Sequence, residues 1–308
     1  MPQLSNQRTA YFNGRYVPES QVVIPFRDRS VKNGDSTYDT TRTFAGRAFK
    51  LKEHIERLYS SLNYTRIDPG LSPAEMIAIT EEVLDRNAHL RPANGDWWVN
   101  QRVTRGLDAV GDEGWEHTGP SVIVDCLPLP LKARAPFFRN GIDLQVSSIR
   151  RTPPSSLSPR AKMGNKLNHT LADMAVTDLN PGVWSLMLDE NGNVAEGKGS
   201  NFFLVRHGKL MTPREHFVLP GVSRQTVVEL ASELGIPFVE VDIDLFEAIN
   251  ADEMFMTGSS FCLCPVRSLN GRPIAGGAFP GPITRRLTDA YIQLAGLDFV
   301  AQILEADK

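Results

Sequence analysis

The hydrophobic positions of this chain follow two periods, one typical of helices and one typical of strands. Apolar residues recur at helical spacing in segments that predict helices at residues 53–61, 73–90, 165–177, 222–234 and 282–294. Within the third segment, Leu167, Leu171, Met174 and Ala175 lie on one side of the predicted helix. Short runs rich in aromatic or β-branched residues predict strands at residues 97–106, 121–126, 141–149, 201–205 and 253–256.

Glycine-containing pairs mark turns between the strand-like runs. The predicted turns are Asn13-Gly14, Ala45-Gly46, Asn191-Gly192 and His207-Gly208. At Asn191-Gly192 we predict a type I′ hairpin turn, in which both central residues have positive φ. The mixture of hairpins and amphipathic helices predicts an α+β fold.

Proline is concentrated in the segment Leu127-Pro-Leu-Pro-Leu-Lys-Ala-Arg-Ala-Pro136. Because Pro cannot occupy a central strand, this segment is the best candidate for a linker. The sequence therefore predicts a small N-terminal α+β domain at residues 1–126, an interdomain linker at residues 127–137 and a larger C-terminal domain at residues 138–308.

Composition narrows the class of protein. The chain has 308 residues, of which 41% are hydrophobic and 22% charged, with a net charge of −3 and no long run of one sign. A nucleic acid is disfavoured as the main partner, because phosphate backbones select for clustered Lys and Arg. The polar first eight residues do not predict a signal peptide, and no uncharged apolar run is long enough to span a bilayer.

Cysteine usage points to a reducing compartment. The chain contains Cys126, Cys262 and Cys264, a small odd number that predicts a cytoplasmic location. Cys262-x-Cys264 resembles half of a metal site, but no second Cys pair and no His at ligand spacing accompany it. We therefore expect a structural role for these thiols and no metal.

The segment of residues 189–205 has two incompatible interpretations. Its string Gly192-x-x-x-x-Gly197-Lys198 has the spacing of a phosphate-binding P-loop. A P-loop needs Ser or Thr after the lysine, to hold Mg²⁺, and a helix after the loop. Here Gly199 follows the lysine, and residues 201–205 are typical of a strand. The pattern favours a strand that delivers one carboxylate, Glu196, to a buried site.

A candidate partner for Glu196 is Lys162, which stands after a Pro/Ser loop and just before a predicted helix. A single lysine is most often a solvated surface amine. Lys162 gains significance from five blocks that follow one order along the chain. They are Gly34-Asp-Ser-Thr-Tyr-Asp39 with Glu53-His-Ile-Glu-Arg57-Leu, Lys162-x-x-Asn165-x-Leu, Val194-Ala-Glu196-Gly-x-Gly-x-Asn201, Leu219-Pro-Gly-Val-Ser-Arg224 and Asp252-Glu-Met-Phe-Met-Thr-Gly-Ser-Ser260.

Together these blocks resemble the class IV (fold-type IV) pyridoxal-phosphate aminotransferases. That group contains branched-chain amino acid aminotransferases, D-amino acid aminotransferases and (R)-selective amine transaminases. The resemblance implies a two-domain α+β enzyme, with a small N-terminal α/β domain and a larger, β-barrel-like C-terminal domain with flanking helices that binds pyridoxal 5′-phosphate. It also implies a homodimer and a ping-pong transfer of an amino group from a primary amine or amino acid to a 2-oxo acid such as pyruvate or 2-oxoglutarate.

The resemblance assigns the chemistry to particular residues. Lys162 would form the Schiff base with the cofactor and then move the substrate proton. Glu196 would face the pyridine nitrogen and stabilise the protonated ring, which then accepts electron density. Neither Lys198 nor Asn201 could do this.

The cofactor phosphate needs cations and amide donors. Val222 and Ser223 open a predicted helix, whose unpaired N–H groups and dipole favour an anion. The resemblance adds Arg57 as the charged partner, Ser259 as a hydroxyl donor and Leu219 as the residue packed on the ring. Taken alone, Ser223 could be a plain N-cap and Arg57 a solvated helix residue.

Substrate residues are suggested by strand faces. Tyr38 and Thr40 point the same way on a strand, and the family has such residues beside the substrate. Arg102 could hold a substrate carboxylate through two bonds, or equally be a structural ion-pair partner. Ser260 completes the candidate set.

Departures from the family pattern leave the donor open. Many branched-chain enzymes have a Gly-Asn-Tyr run after the catalytic lysine, where this chain has Gly164-Asn165-Lys166. The Arg-x-His clamp of the D-amino acid enzymes is not visible in residues 107–118, while the Ser-Thr-Tyr-Asp block and residues 106–110 are closer to the (R)-amine transaminases. An aminodeoxychorismate-lyase-like lyase, a nucleotide-binding module and an inactive family member are the alternatives.

Overall fold

The computed structural model describes residues 7–107, 119–274 and 279–308. The chain divides into two compact units: residues 1–129 with 161–165 form the first, and residues 130–160 with 166–308 form the second. Residues 161–165, which include Lys162, therefore belong to the first unit although their neighbours in sequence belong to the second. The predicted domain boundaries at residues 126 and 138 stay a prediction.

The first unit is an antiparallel sheet covered by helices on one face. Its elements are β1 (Thr9–Phe12), β2 (Arg15–Pro18), α1 (Arg29–Asn33), β3 (Ser36–Phe44), β4 (Arg47–Ala48), α2 (Leu51–Thr65), α3 (Pro73–Asn87), β5 (Trp97–Thr104) and β6 (Val122–Pro128). The strands lie in the order β2-β1-β6-β5-β3-β4. The turn predicted at Asn13-Gly14 is confirmed, because both residues have positive φ between β1 and β2.

Alternation along the strands separates a core face from a polar face. Trp97, Val99 and Val103 of β5 are buried in one cluster with Ile55 and Leu58 of α2. The even-numbered residues of β5 point the other way, as the two-residue period of a strand requires. The opposite face of the sheet therefore carries polar side chains from β3, β5 and β6.

The second unit contains a closed barrel. Its elements are α4 (Leu131–Asn140), β7 (Ile142–Val146), α5 (Leu167–Thr177), β8 (Trp184–Leu188), β9 (Val194–Gly197), β10 (Ser200–Arg206), β11 (Lys209–Thr212), α6 (Val222–Glu233), β12 (Phe238–Glu240), α7 (Leu245–Ile249), β13 (Glu253–Gly258), β14 (Cys262–Leu269), β15 (Arg272–Pro273), α8 (Pro282–Ala295) and α9 (Phe299–Glu305). Strands β10, β13, β14, β7, β8 and β9 follow one another, and β9 pairs back to β10. This barrel within a mixed α+β chain agrees with the predicted fold class.

The barrel is filled by apolar side chains from its own strands. Leu144, Leu186, Phe202 and Met256, each from a different strand, are buried in one cluster. Helix α6 also has buried apolar residues, Val227, Leu230 and Ala231, but they lie outside this cluster. The predicted helix at residues 222–234 and strand at residues 253–256 are confirmed to within about two residues at each end.

The Pro-rich segment of residues 127–137 is not an extended linker in the structure. Residues 127 and 128 end β6, and residues 131–137 form most of α4. Leu131 and Ala135 are buried one turn apart, and Phe137 packs against the barrel core. This burial outweighs the hydrogen bond that Pro136 removes from the helix interior.

One further local prediction, the type of turn at residues 191–192, differs from the structure. At Asn191-Gly192, only Gly192 has positive φ, so the turn is not type I′. The Asp189 carboxylate holds it instead, accepting from the N–H groups of Asn191 and Asn193 at 2.9 and 2.8 Å. On α5, the buried residues are His169, Ala172 and Val176, while the apolar side that includes Leu171 and Met174 is largely exposed.

Within the described ranges, no helix combines the length and apolar character needed to cross a membrane.

Candidate active site

In the first unit, Lys162 is held against the edge of β3 by backbone pairing. Tyr38 N–H donates to the Lys162 carbonyl at 3.1 Å, and Gly164 N–H donates to the Ser36 carbonyl at 2.7 Å. The Lys162 N–H donates to Ser61 Oγ of α2 at 3.0 Å. The main chain around this lysine is therefore anchored on both a strand and a helix.

The side chain of Lys162 lies over Tyr38, with Nζ 4.7 Å from the ring centroid. The guanidinium carbon of Arg102 is 5.6 Å from the same centroid. Thr40 donates through Oγ1 to Asn100 Oδ1 at 3.0 Å. The structure thus brings together Tyr38, Arg102 and Lys162, and it puts Thr40 in a bond to the neighbouring strand.

Arg57 of α2 is bound by Asp39, a partner that the sequence did not suggest. Its Nε and Nη2 donate to the two carboxylate oxygens at 2.8 and 2.7 Å. His54 Nδ1 lies 2.7 Å from Asp39 Oδ1. Burial alone would raise the pKa of Asp39, but the Arg57 guanidinium and the His54 ring together hold that pKa well below its usual range. Arg57 is therefore a partly buried, oriented cation rather than a solvated helix residue.

In the second unit, Glu196 of β9 is buried and held by groups from three segments. Arg151 Nε donates to Oε1 at 2.7 Å, and the Leu219 N–H donates to Oε2 at 3.0 Å. His169 Nε2 lies 3.5 Å from Oε1. Burial raises the pKa of Glu196, but His169, Arg151 and the Leu219 amide together lower that pKa to about 2. The carboxylate is therefore ionised at neutral pH.

His169 stays neutral beside Glu196. Burial lowers the pKa of His169, and the neighbouring carboxylate only partly offsets this. Its Nδ1 is buried and has no hydrogen-bond partner within the described part of the chain.

The turn that leads into α6 is fixed beside Glu196. Asn201 Nδ2 donates to the Leu219 carbonyl at 2.8 Å, so the Leu219 backbone is bound at both its N–H and its carbonyl. A Cβ on Gly221 would lie 2.1 Å from Asn201 Oδ1, so any larger residue there would displace the Asn201 side chain. Gly221 is the N-cap of α6 and supplies no capping side chain. Val222 and Ser223 are the first two residues of this helix and are buried.

Thr257 of β13 lies near this turn. It pairs directly with Asn201 of β10 in the antiparallel sheet, which puts the two side chains on the same face. Thr257 is 1% exposed, and its hydroxyl has no hydrogen-bond partner among the residues described. Thr257 stands inside the block of residues 252–260, but no sequence pattern singled out its hydroxyl.

Ser259 and Ser260 follow β13 in a tight turn. The Phe261 N–H donates to the Gly258 carbonyl at 3.2 Å, and Gly258 pairs with Cys262 across the turn. Ser260 is buried. Cys262 has a φ of 62°, a left-handed conformation that a non-glycine residue adopts only when its surroundings require it.

Lys198 is separate from this arrangement. Its amine donates to Asp173 at 2.6 Å and is more than half exposed. A strand rather than a helix follows it, so the interpretation of residues 192–198 as part of a β-hairpin is confirmed. Among the described residues, no cluster of His, Cys, Asp and Glu could hold a metal ion.

The residues that sequence reasoning missed are the partners of those it found. Asp39 and His54 orient Arg57, while Arg151 and His169 surround Glu196. Asp39 and His54 stand inside blocks that were already recognised, which is a signal that could have found them. The Arg-x-His clamp was sought in residues 107–118. Residues 108–118 lie outside the part of the chain that the structure describes.

Comparison with known proteins identifies the family. The model for amino-transferase class IV matches residues 36–269, which is most of the chain. The chain belongs to the class IV aminotransferases. Its relatives include a candidate branched-chain-amino-acid aminotransferase of Methanocaldococcus jannaschii, 34% identical over 91% of this chain and 94% of that protein. The branched-chain-amino-acid aminotransferase of Escherichia coli strain K12 is 29% identical over 92% of each chain.

Solved structures of this family share the fold. An E. coli branched-chain amino acid aminotransferase superposes with a TM-score of 0.84 at 28% identity, covering 94% of this chain and 95% of that one. The T.th. branched-chain amino acid aminotransferase with pyridoxamine 5′-phosphate gives a TM-score of 0.85 at 28% identity over 94% of each chain. Aminotransferase activity and the fold-type IV architecture follow from this membership.

Proposed function

We propose that this aminotransferase uses pyridoxal 5′-phosphate to move an amino group from a branched-chain L-amino acid, a D-amino acid or an (R)-amine to a 2-oxo acid, in a ping-pong cycle. The observation that carries the proposal is Glu196, a buried carboxylate with a pKa lowered to about 2. A buried carboxylate that is ionised at neutral pH favours the protonated form of a pyridine nitrogen beside it. Structures of the T.th. relative with pyridoxamine 5′-phosphate and with N-(5′-phosphopyridoxyl)-L-glutamate support the choice of cofactor.

The residues at the start of α6 fit a phosphate. The helix has twelve residues and no side chain caps its first N–H groups, an arrangement that favours an anion. The buried Thr257 hydroxyl, which lacks a partner in the described part of the chain, is a further donor on the same side as Asn201. A buried donor without a partner is costly in the free protein, and a phosphate oxygen would remove that cost.

We assign the cofactor-holding roles accordingly. Lys162 would hold the cofactor covalently, and Glu196 would bind its ring nitrogen. Val222, Ser223, Ser259 and Arg57 would hold its phosphate, and Leu219 would pack on its ring. When bound, the cofactor withdraws electron density from the substrate carbon and so eases loss of its proton.

The proton transfer itself belongs to Lys162. Its Nζ would take the proton from the substrate carbon and return it elsewhere in the same half-reaction, as a positioned general base and acid does. The three backbone and side-chain contacts that anchor residues 162–164 keep this amine in place. The Tyr38 ring covers one side of this amine, with its centroid 4.7 Å from Nζ.

The relatives support an amino acid donor. Both the E. coli and the T.th. proteins are named for branched-chain amino acids, and this chain matches them over nearly its full length. We therefore place branched-chain L-amino acids first among the three classes of donor.

Purified protein tests the proposal directly. It should be yellow, with a visible absorption band that borohydride bleaches, and Lys162→Ala should abolish the band. Lys198→Ala is the matched control, because this exposed lysine between β9 and β10 is bound to Asp173 and should leave the band unchanged. A colourless wild-type protein that does not bind added pyridoxal phosphate would end the proposal. A screen with L-leucine, D- and L-alanine and (R)-1-phenylethylamine then identifies the donor.

The alternative on the same scaffold is a lyase resembling aminodeoxychorismate lyase. It would release pyruvate without consuming an amino acceptor, so stoichiometry separates the two. Transfer of amine from donor to added 2-oxo acid in equal amounts excludes the lyase. Pyruvate release without an acceptor would exclude the transaminase.

A further inference from the structure

We infer that His169 is a positioning residue for Glu196: its Nε2–H holds one carboxylate oxygen, Oε1, and leaves the other, Oε2, to the ring nitrogen of the cofactor. This role rests on the proposed function, because it concerns the carboxylate that we propose binds the pyridine ring. Hydrophobic periodicity did not single out His169, which lies within the predicted helix of residues 165–177.

Donors are distributed unevenly around the Glu196 carboxylate. Oε1 faces two of them, Arg151 Nε at 2.7 Å and His169 Nε2 at 3.5 Å. Oε2 accepts from the Leu219 N–H at 3.0 Å. An ionised carboxylate has about four acceptor sites, two on each oxygen, so among the described residues both sites of Oε1 face donors and one site of Oε2 stays open. The open site is on the oxygen bound by Leu219, the residue that we propose packs on the ring.

His169 is a neutral donor at pH 7. Burial, together with the positive charges of Lys166 and Arg151, lowers the pKa of this imidazole more than the neighbouring carboxylate raises it. A neutral ring carries one N–H, which we assign to Nε2 because a lone pair facing the carboxylate would be repelled. Such a donor fixes the direction of the Glu196 carboxylate without adding a second cation beside a protonated pyridine ring.

Packing alone does not explain a histidine at this position of α5. His169 is 7% exposed and shares the buried side of the helix with Ala172 and Val176. An apolar side chain suits such a side, whereas the Nδ1 of His169 is buried with no hydrogen-bond partner in the described part of the chain. A buried acceptor without a partner destabilises the fold. The contact of Nε2 with Glu196 is therefore the feature that accounts for the imidazole.

The experiment compares two cofactors, pyridoxal 5′-phosphate and its 1-deaza analogue, which has C–H in place of the ring nitrogen. Both carry the phosphate and the aldehyde that reacts with Lys162, so the ratio of their Kd values isolates the contact to the ring nitrogen. Fluorescence titration of the cofactor-free protein measures both Kd values. Wild type should prefer pyridoxal phosphate by at least about tenfold, the usual value of a charged hydrogen bond.

Three substitutions of His169 separate its donor from the rest of the side chain. His169→Leu removes the donor and should lower the preference for pyridoxal phosphate about tenfold, because the carboxylate can then rotate away from the ring nitrogen. His169→Gln places an amide N–H where Nε2 lies and should keep the preference within about threefold of wild type. The shorter side chain of His169→Asn cannot reach Oε1 and should behave like that of His169→Leu. His89→Leu changes an exposed histidine of the first unit and should have no effect.

A double substitution shows whether His169 acts through Glu196. In Glu196→Gln the preference for pyridoxal phosphate should already be lost, and adding His169→Leu should lower it no further, since the two changes remove one interaction. Independent, additive effects of the two changes would overturn the inference. A purely structural role would also overturn it: His169→Leu would then weaken the binding of both cofactors equally and leave their ratio unchanged.

The behaviour of wild type distinguishes this inference from the proposed function. A wild-type protein that binds neither cofactor overturns the proposed function itself. If wild type prefers pyridoxal phosphate and His169→Leu keeps or raises that preference, the role of His169 is overturned and the transaminase stands. Equal affinity of wild type for the two cofactors overturns both the role of His169 and the contact of Glu196 with the ring nitrogen. Should His169→Leu fail to fold, equal preference in the Gln and Asn variants overturns the inference.

Discussion

At the scale of single residues, the site depends on buried charges that are held by partners distant in sequence. Glu196 is surrounded by Arg151 and His169, and Arg57 is bound by Asp39. Removing one member of a buried pair commonly costs several kcal/mol, since the other charge is left unpaired. These partners therefore stabilise the fold as well as orient the two groups that we propose bind the cofactor.

The lowered pKa of Glu196 predicts an acid-sensitive contribution to stability. In the unfolded chain this carboxyl takes up a proton near pH 4.5, whereas in the folded protein it does so only near pH 2. Its stabilisation is therefore complete above about pH 5 and is lost as the pH falls toward 2. For cofactor-free protein at pH 7, we expect Glu196→Gln to lower the free energy of unfolding by about 3 kcal/mol, and this difference should shrink toward zero near pH 2.

Urea unfolding across this pH range measures the difference, and the exposed Glu56→Gln is the control. Glu56 lies on the surface of α2, 3.8 Å from Lys52, so its removal should change stability little at any pH. A gap between wild type and Glu196→Gln that stays constant from pH 7 to pH 2 would show that the carboxylate is not held ionised as described.

At the scale of elements, helices and strands were predicted most accurately where a single hydrophobic period dominated the segment. Helix α6 has buried residues at helical spacing and was predicted nearly to its ends. Helix α4 was missed because its prolines signalled a linker, while burial of Leu131 and Ala135 decides its conformation. On α5, the apolar side containing Leu171 and Met174 is exposed, and the buried side carries His169 instead. A periodic pattern therefore predicted that a helix forms, but not which side is buried.

Substitution of Thr257 of β13 tests whether this residue binds the cofactor phosphate. Its hydroxyl is buried without a partner in the described structure, so Thr257→Val should leave the cofactor-free protein equally stable or slightly more stable. If the hydroxyl donates to the cofactor phosphate, the same change should weaken pyridoxal phosphate binding about tenfold, or about 1.4 kcal/mol. Binding of pyridoxal, which lacks the phosphate, should not change.

A matched control for this variant is Thr284→Val on α8. Thr284 is also buried, and its hydroxyl likewise has no partner among the described residues. Because it is not opposite Asn201, the substitution should leave the affinity for pyridoxal phosphate unchanged. Equal effects of the two variants on cofactor affinity would refute a special role for Thr257. Fluorescence titration of the cofactor-free protein provides the measurement.

At the scale of the whole molecule, the fold class was predictable but the path of the chain was not. The five blocks follow the family's order, and the family model covers residues 36–269. Residues 161–165 nevertheless belong to the first compact unit, while the segments on either side belong to the second. Hydrophobic periodicity and amino-acid composition do not predict that residues 161–165 join the first unit. That assignment depends on the backbone pairing of Lys162 and Gly164 with β3.

Binding of pyridoxal phosphate should stabilise the folded protein as a whole. A ligand that binds only the folded protein raises the free energy of unfolding by about 2.7 kcal/mol when its concentration is about 100 times its Kd. Pyridoxal phosphate should therefore raise the melting temperature of wild type by several degrees. Lys162→Ala should show a smaller rise because the covalent link is lost, whereas Lys198→Ala should match wild type. Mg-ATP tests the alternative of nucleotide binding at residues 192–198. A rise in melting temperature with Mg-ATP that disappears in Lys198→Ala would favour that alternative. We expect Mg-ATP to leave the melting temperature unchanged.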